Sequence, residues 1–300
     1  MPRFYCDLSL APDHLVTLPD AVARHAVGVL RLRAGEAVVL FNGDGAEYHG
    51  VLENVGGKGA SVRLASRHEP ARESPLQVRL AQGISSGERM DYTLQKAVEL
   101  GVTAIQPLTM RRSVVRLNEE KAIKRRAHWQ GVVSAACEQC GRNVLPPVAE
   151  IQEFTAWVRT LSPPPPSPLA PLPGGEGLGV RERRLQLPTP PESGATPPTK
   201  IDQALAIHPS SLSPAPPPRG EGSLRLLLDP EGDLCLRDLP PPTSPILLLA
   251  GPEGGFDPAE RKLARAAGFH GLRLGPRVLR TETAALAALA AMQAVWGDFR

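Results

Sequence analysis

Hydrophobic and polar positions change rhythm twice along the chain. Over roughly the first 70 residues they alternate in short runs. Ala37–Phe41 and Ala46–Val55 predict strands, joined by Asn42-Gly43-Asp44-Gly45, a strong hairpin signal. Gly56-Gly57-Lys58-Gly59 turns into a third strand at Ala60–Ser66, and a short helix is expected over Asp20–Leu30. Short strands at this spacing predict a small barrel. Arg67–Ser74 is polar, ends at Pro75 and reads as a linker.

From Leu76 the period lengthens. Val78–Ile84 is a predicted strand, and Met90, Leu94, Ala97 and Val98 share one helical face that Gly101 ends. Val102–Leu108 is the next strand. Trp129, Val132, Val133, Ala136 and Cys140 mark a second amphipathic helix. Farther on come strands Leu224–Leu228 and Ile246–Ala250, the latter apolar throughout. Asp257-Pro258-Ala259-Glu260 is a capping box with proline at the first helical position, and Gly268 closes that helix. Strand Gly271–Leu274 and a last helix over Glu282–Trp296 follow. Strands alternating with helices, some apolar throughout, predict an α/β fold with a parallel sheet covered on both faces.

Between these segments the pattern fails. Of the chain's 33 prolines, 17 lie between Ser162 and Gly222, with few aromatic residues and no helix or strand period. Proline lacks the N–H that ladders need, so residues 162–222 are expected to be a disordered insertion on the surface. The expected units are therefore residues 1–70 and 75–300, the second interrupted by that insertion.

Composition narrows the class. The 300 residues carry 34 basic and 31 acidic side chains and are 42% hydrophobic, which excludes a polycation and supports a real core. Ala284–Val295 is the longest apolar candidate, too short for a bilayer and interrupted by Gln293. Met1–Asp7 lacks a signal-peptide core, so a cytoplasmic protein with no membrane partner is expected. Four cysteines do not make a disulfide framework.

In a parallel α/β sheet, ligands bind beyond the carboxyl ends of the strands. Three loops leave such ends: Thr109–Ser113, Gly251–Phe256 and Gly275–Thr283. The middle one is not G-x-G-x-x-G, and no P-loop or G-x-S-x-G elbow occurs, so dinucleotide, nucleoside triphosphate and serine-hydrolase readings lose support. Cys137-x-x-Cys140 has no second pair at ligand spacing, and no metal is expected. Arg111–Arg126 holds seven basic against two acidic side chains, and Arg24, Arg31 and Arg33 form a smaller cluster; both suit phosphate contacts.

Six short motifs occur in order. They are Pro2-Arg3-Phe4-Tyr5; His25 with Leu30-Arg31-Leu32-Arg33 and Gly35; Lys96 with Glu99-Leu100-Gly101-Val102; Glu138-Gln139 with Gly141-Arg142; Gly251-Pro252-Glu253-Gly254-Gly255-Phe256; and Leu274-Gly275 with Leu279-Arg280, Glu282, Thr283 and Ala284. Together they resemble the RsmE family, the 16S ribosomal RNA (uracil-1498)-N3-methyltransferases of the SPOUT superfamily. The resemblance spans nearly the whole chain except the proline-rich stretch.

That resemblance implies a PUA-like β-barrel for RNA, then a SPOUT domain with a C-terminal trefoil knot, acting as a homodimer on 16S rRNA of the small ribosomal subunit. The implied methyl donor is S-adenosylmethionine. By position it would be held by Leu108, Thr109, Gly251, Pro252, Glu253, Gly254, Gly255, Leu274, Gly275, Arg277, Val278, Leu279 and Thr281. Arg280 and Glu282 become candidates for positioning the base and handling its proton. Arg3, Arg24, His25 and Arg31 would dock RNA, with Arg111, Arg112 and Arg142 flanking the site. Two alternatives stay open: a SPOUT methyltransferase acting on another RNA, and a non-catalytic RNA-binding relative.

Overall fold

Local turn chemistry builds the first sheet. Gly43 and Gly45 both sit at φ +94°, a left-handed backbone that glycine adopts without strain. Asp44 tightens the same turn by accepting from Ala46 N at 2.8 Å. Strands β3 (Ala37–Phe41) and β4 (Glu47–Gly56) therefore pair antiparallel, and β5 (Gly59–His68) returns along β4. A bulge interrupts that ladder at Gly50, where a Cβ would lie 2.5 Å from the Arg63 carbonyl oxygen. β1 (Arg3–Tyr5) adds in parallel to β3, and β2 (Leu15–Thr17) pairs with β5, giving the order β1-β3-β4-β5-β2. Phe4, Leu40, Tyr48, Leu52, Val62 and Leu64 fill its core. The computed structural model describes residues 1–56, 59–161 and 223–299; the proline-rich stretch 162–222 lies outside them.

The helix expected over Asp20–Leu30 is split. α1 covers Asp20–Ala23, and Arg24–Val29 widens into a π turn. Leu30 N reaches back to His25 O and Leu32 N to Ala26 O, so the chain is wound more loosely than an α-helix. Ala26 is buried by this turn, while Arg24 and His25 face solvent.

The second sheet is parallel, in the order β11-β9-β10-β6-β7-β8. Its elements are β6 (Val78–Gly83), α2 (Glu88–Glu99), β7 (Ala104–Thr109), α3 (Glu119–Cys140), β8 (Gln152–Glu153), α4 (Phe154–Arg159), β9 (Leu224–Leu228), β10 (Ile246–Ala250), α5 (Pro258–Ala266), β11 (His270–Leu272) and α6 (Thr281–Trp296). All five β10 residues are buried, as a strand covered on both faces requires. One face packs Met90, Leu94, Val98, Trp129, Val133 and Leu289 from α2, α3 and α6. The other packs Phe154, Trp157, Phe256, Ala264 and Phe269 around α4 and α5. The Asp257 capping box and proline start α5 as expected.

Arg67–Ser74 is not the free linker expected. β5 runs to His68, and the rest is tied down by side chains. Glu73 takes Arg142 Nε at 2.9 Å, and Ser74 Oγ donates to Gln293 Oε1 of α6 at 2.8 Å. β1 also meets α3 directly: Tyr5 N donates to Glu138 Oε1 at 2.9 Å.

Candidate active site

The carboxyl ends of β6 and β10 lie side by side, and the turns that leave them touch along a seam. Gly83 is required there, because a Cβ would come 2.5 Å from Pro252 N. Gly254 is required by the loop from β7: a Cβ would meet Arg112 O at 2.8 Å. Pro252 O accepts from Gly255 N at 2.9 Å, closing a tight turn with Gly255 at φ +68°. The third loop joins through buried Gln82, at the end of β6. Its Nε2 donates to Gly83 O at 3.0 Å, to Gly251 O at 3.2 Å and to Thr281 Oγ1 at 3.2 Å. Thr281 Oγ1 in turn donates to Gly251 O. Ile84 N donates to Leu108 O at 2.9 Å, which brings the end of β7 alongside.

The electrostatics centre on Glu253. Its Oε1 accepts from Ser86 N at 2.7 Å and Ser86 Oγ at 2.8 Å, with Arg89 Nη1 at 3.4 Å. Burial works to raise this carboxyl, but those hydrogen bonds and Arg89 hold it below the usual carboxylate range. Among the described residues, three buried polar atoms in this seam have no hydrogen-bond partner: Gln82 Oε1, Ser85 Oγ and Glu253 Oε2. Unmet buried polar atoms in a native fold call for an explanation, and beside a glycine loop an ordered water or a polar ligand supplies one. Gln82, Ser85, Ser86 and Arg89 escaped the sequence reading. The signal available was their position: they flank Gly83 and Gly87 just beyond a strand that ends at the sheet's ligand-binding edge.

Of the residues expected to hold the donor, the fold brings Leu108, Gly251, Pro252, Glu253, Gly254, Gly255 and Thr281 to this seam. Thr109 turns its hydroxyl to Gln152 O on β8, at 3.3 Å. Leu274 packs against the larger core. Gly275 turns the chain at φ +82°, and Arg277 and Val278 stand exposed beyond it, with Leu279 half-buried. Arg280 is the exposed N-cap of α6, and Glu282 is half-buried in that helix's first turn, where a negative charge is favoured.

The residues expected to dock RNA divide into two groups. Arg24, His25 and Arg31 are exposed together on the π turn and the loop after it, Arg31 at φ +57°. Arg111 and Arg112 are exposed beside the glycine loop, reaching Asp257 at 3.5 Å and Gly254 O at 3.3 Å. Arg3 and Arg142 are corrections. Arg3 has a side chain only 12% exposed, and it donates to Glu47 and to Asn143 Oδ1, both at 2.6 Å. Arg142 is buried, paired with Glu73 and donating to Val98 O and Val102 O. Both guanidiniums are consumed inside the protein, leaving little to offer a phosphate.

Cys137 is buried against Val144 O, and burial pushes its thiol up to about 12, an inert packing residue. Among the described residues no group of three or more His, Cys, Asp and Glu side chains could hold a metal ion.

Comparison with known proteins finds matches over both parts of the chain. A family model described as an RNA methyltransferase domain matches residues 72–164 and 199–293, and one described as an RNA methyltransferase PUA domain matches 18–65. Ribosomal RNA small subunit methyltransferase E of Bacillus subtilis is 28% identical over 298 residues, covering 97% of this chain and 96% of the relative. The crystal structure of a ribosomal RNA small subunit methyltransferase E from Neisseria gonorrhoeae, bound to S-adenosylmethionine, is 35% identical, with a TM-score of 0.76 and all of both chains covered. A putative methyltransferase from Legionella pneumophila, also with bound S-adenosylmethionine, is 34% identical with a TM-score of 0.78, covering 100% of this chain and 99% of that one. Matched in order over both of its parts, the chain belongs to the RNA methyltransferase family, alongside the proteins called ribosomal RNA small subunit methyltransferase E.

Proposed function

We propose that the chain transfers a methyl group from S-adenosylmethionine to N3 of one uracil, uracil 1498, in 16S rRNA of the small ribosomal subunit. The observation that carries this reading is the seam between β6 and the glycine loop. It gathers three loops through Gln82 and leaves three buried polar atoms for a ligand. Solved relatives about one-third identical bind the same donor.

S-adenosylmethionine, when bound, supplies an electrophilic methyl group. The residues of this chain must hold it, present the base in line and manage the N3 proton. N3 lies on the Watson–Crick edge, so the base has to be unpaired or flipped out of its stack. Gly251–Gly255, Leu108 and Thr281 form the donor side, with Leu274, Gly275, Arg277, Val278 and Leu279 following in the third loop. Arg280 and Glu282 stand where that loop enters α6 and are assigned to positioning the base and handling its proton. Arg111 and Arg112 flank the site, and Arg24, His25 and Arg31 contact RNA from the first sheet.

The reading includes a PUA-like unit over residues 1–70, a SPOUT unit with a trefoil knot over 75–300, a homodimeric state and a cytoplasmic location. The test is methyl transfer from labelled donor to small subunits lacking this modification, with naked 16S RNA in parallel and mass spectrometry of the nucleosides. 3-Methyluridine at one site is the expected product. No transfer to either substrate, despite tight donor binding, would overturn the substrate assignment.

A further inference from the structure

Glu260, in the first turn of α5, is 2% exposed and joins two separate segments. Its Oε2 accepts from Asp257 N at 3.1 Å, which completes the capping box. Its Oε1 accepts from Arg111 N at 2.9 Å, in the loop after β7. The cap needs only the first of these bonds, and glutamine supplies it as glutamate does. Two N–H donors facing one side chain need a carboxylate, because a glutamine would turn its NH2 group toward one of them.

Arg111 stands in a closed turn. Ser113 N donates to Met110 O at 3.1 Å, and Met110 N donates to Ser113 Oγ at 3.3 Å. Met110 and Ser113 are buried, while Arg111 and Arg112 at the tip are exposed. The turn also abuts the glycine loop. Arg112 O leaves no room for a Cβ on Gly254, and Arg112 Nη1 donates to Gly254 O at 3.3 Å. Asp257 Oδ1 lies 3.5 Å from Arg111 Nη1.

We propose that Glu260 is a positioning residue for methyl transfer. It locks the arginine turn to the segment that leaves the glycine loop, and so sets how far the two guanidiniums stand from the donor. This rests on the reading above, in which Arg111 and Arg112 hold RNA beside the site. Being buried, Glu260 acts through the turn rather than on the RNA. Its contribution is alignment: a strand bound by a displaced turn presents its base off line, and a displacement of about 1 Å can cost about 100-fold in rate.

The test uses the full chain, methyl transfer to small subunits lacking the modification, and calorimetric titration with S-adenosylhomocysteine, the donor without its methyl group. Glu260→Gln keeps one bond of the pair and both guanidiniums. Its kcat is expected to fall about tenfold or more, with the subunit KM and the Kd for S-adenosylhomocysteine within about twofold of wild type. Replacing both arginines, Arg111→Ala with Arg112→Ala, should instead raise KM. In that background Glu260→Gln should cost no further kcat, the non-additivity expected of residues that act as one unit. Ser113→Ala opens the same turn from its other end and gives a second reading should Glu260→Gln fold poorly; the same loss of kcat is expected. An equal kcat loss with and without the arginines, a parallel loss of donor affinity, or no loss at all would overturn the proposal. Arginine replacement that changes neither KM nor kcat would instead overturn the RNA role of the turn, and the proposal would fall with it.

Discussion

The side chains of Gln82 and Thr281 meet across 199 positions of sequence, Nε2 donating to Oγ1 at 3.2 Å. Thr281 passes a hydrogen bond on to Gly251 O, and Gln82 reaches that same carbonyl. One buried amide thus fastens the glycine loop to the start of α6. Its orientation follows from its partners, because two of the three acceptors are carbonyl oxygens, which the amide nitrogen can satisfy and the amide oxygen cannot.

Gln82→Leu removes the fastening while keeping an apolar volume. The variant leaves Gly251 O and Thr281 with fewer donors, so a stability loss of about 1–3 kcal/mol is expected. Affinity for S-adenosylhomocysteine should fall about tenfold or more as the two loops lose their register. Denaturant unfolding reads the first effect and calorimetric titration the second. Full donor affinity in a folded variant would show that the loops hold their shape without Gln82.

The arginines make separable predictions. Arg31→Gly removes an exposed charge without opposing its left-handed backbone. RNA affinity should weaken, and the slope of log affinity against log salt should fall by about 1. Stability should hardly change. Arg3→Ala should behave the opposite way. It takes one partner from Glu47, which keeps Arg72 and His49, and leaves Asn143 Oδ1 without its donor, at a cost of about 1–3 kcal/mol. The salt slope of RNA binding should stay as in the wild type. A slope reduced by Arg3→Ala in a fully stable protein would restore Arg3 to the RNA surface.

Arg3 also shows where sequence reading reaches its limit. A motif places an arginine, but only the fold reveals that Glu47 and Asn143 consume it. The parallel sheet was legible because Ile246–Ala250 is a continuous apolar run and Leu224–Leu228 is apolar but for Arg225, and the Asp257 box marks a helix start by itself. β1, β2 and β8 are too short to carry a period, and α4 spans only six residues. The glycine loop was visible as a motif. Its partners Gln82, Ser85 and Ser86 were not, since the pairing arises from two parallel strands lying side by side.

Glu138 predicts a pH dependence. Burial pushes its carboxyl up, opposed in part by the Tyr5 N–H, His25 and Arg3. The folded protein therefore binds this proton more tightly than the unfolded chain. The resulting stabilisation is fully present below the ordinary value of 4.5 and is lost as pH rises through the folded pKa. Glu138→Gln keeps an oxygen for Tyr5 N and removes the buried charge. At pH 7 the variant should be more stable than wild type, by up to about 1 kcal/mol after solvent screening. The difference should vanish toward pH 4, which urea unfolding across that range would show. A difference independent of pH would mean that Glu138 ionises as readily in the folded protein as in the unfolded chain.

Deletion of residues 165–198 tests how the proline-rich stretch relates to the site. The RNA methyltransferase match stops at residue 164 and resumes at 199, inside the segment 162–222 expected from composition to be inserted as a whole. Residues 199–222 thus combine a proline-rich composition with a family pattern. Loop-closure entropy grows only with the logarithm of length, about 0.6 kcal/mol for each doubling. Removing 165–198 should therefore leave the Kd for S-adenosylhomocysteine within twofold of wild type, and stability nearly unchanged. Removing 163–221 also takes out matched sequence and should lower stability. Equal behaviour of the two deletions would show that the whole stretch is dispensable to the fold. Loss of donor binding in the shorter one would place part of 165–198 in the machinery of the site.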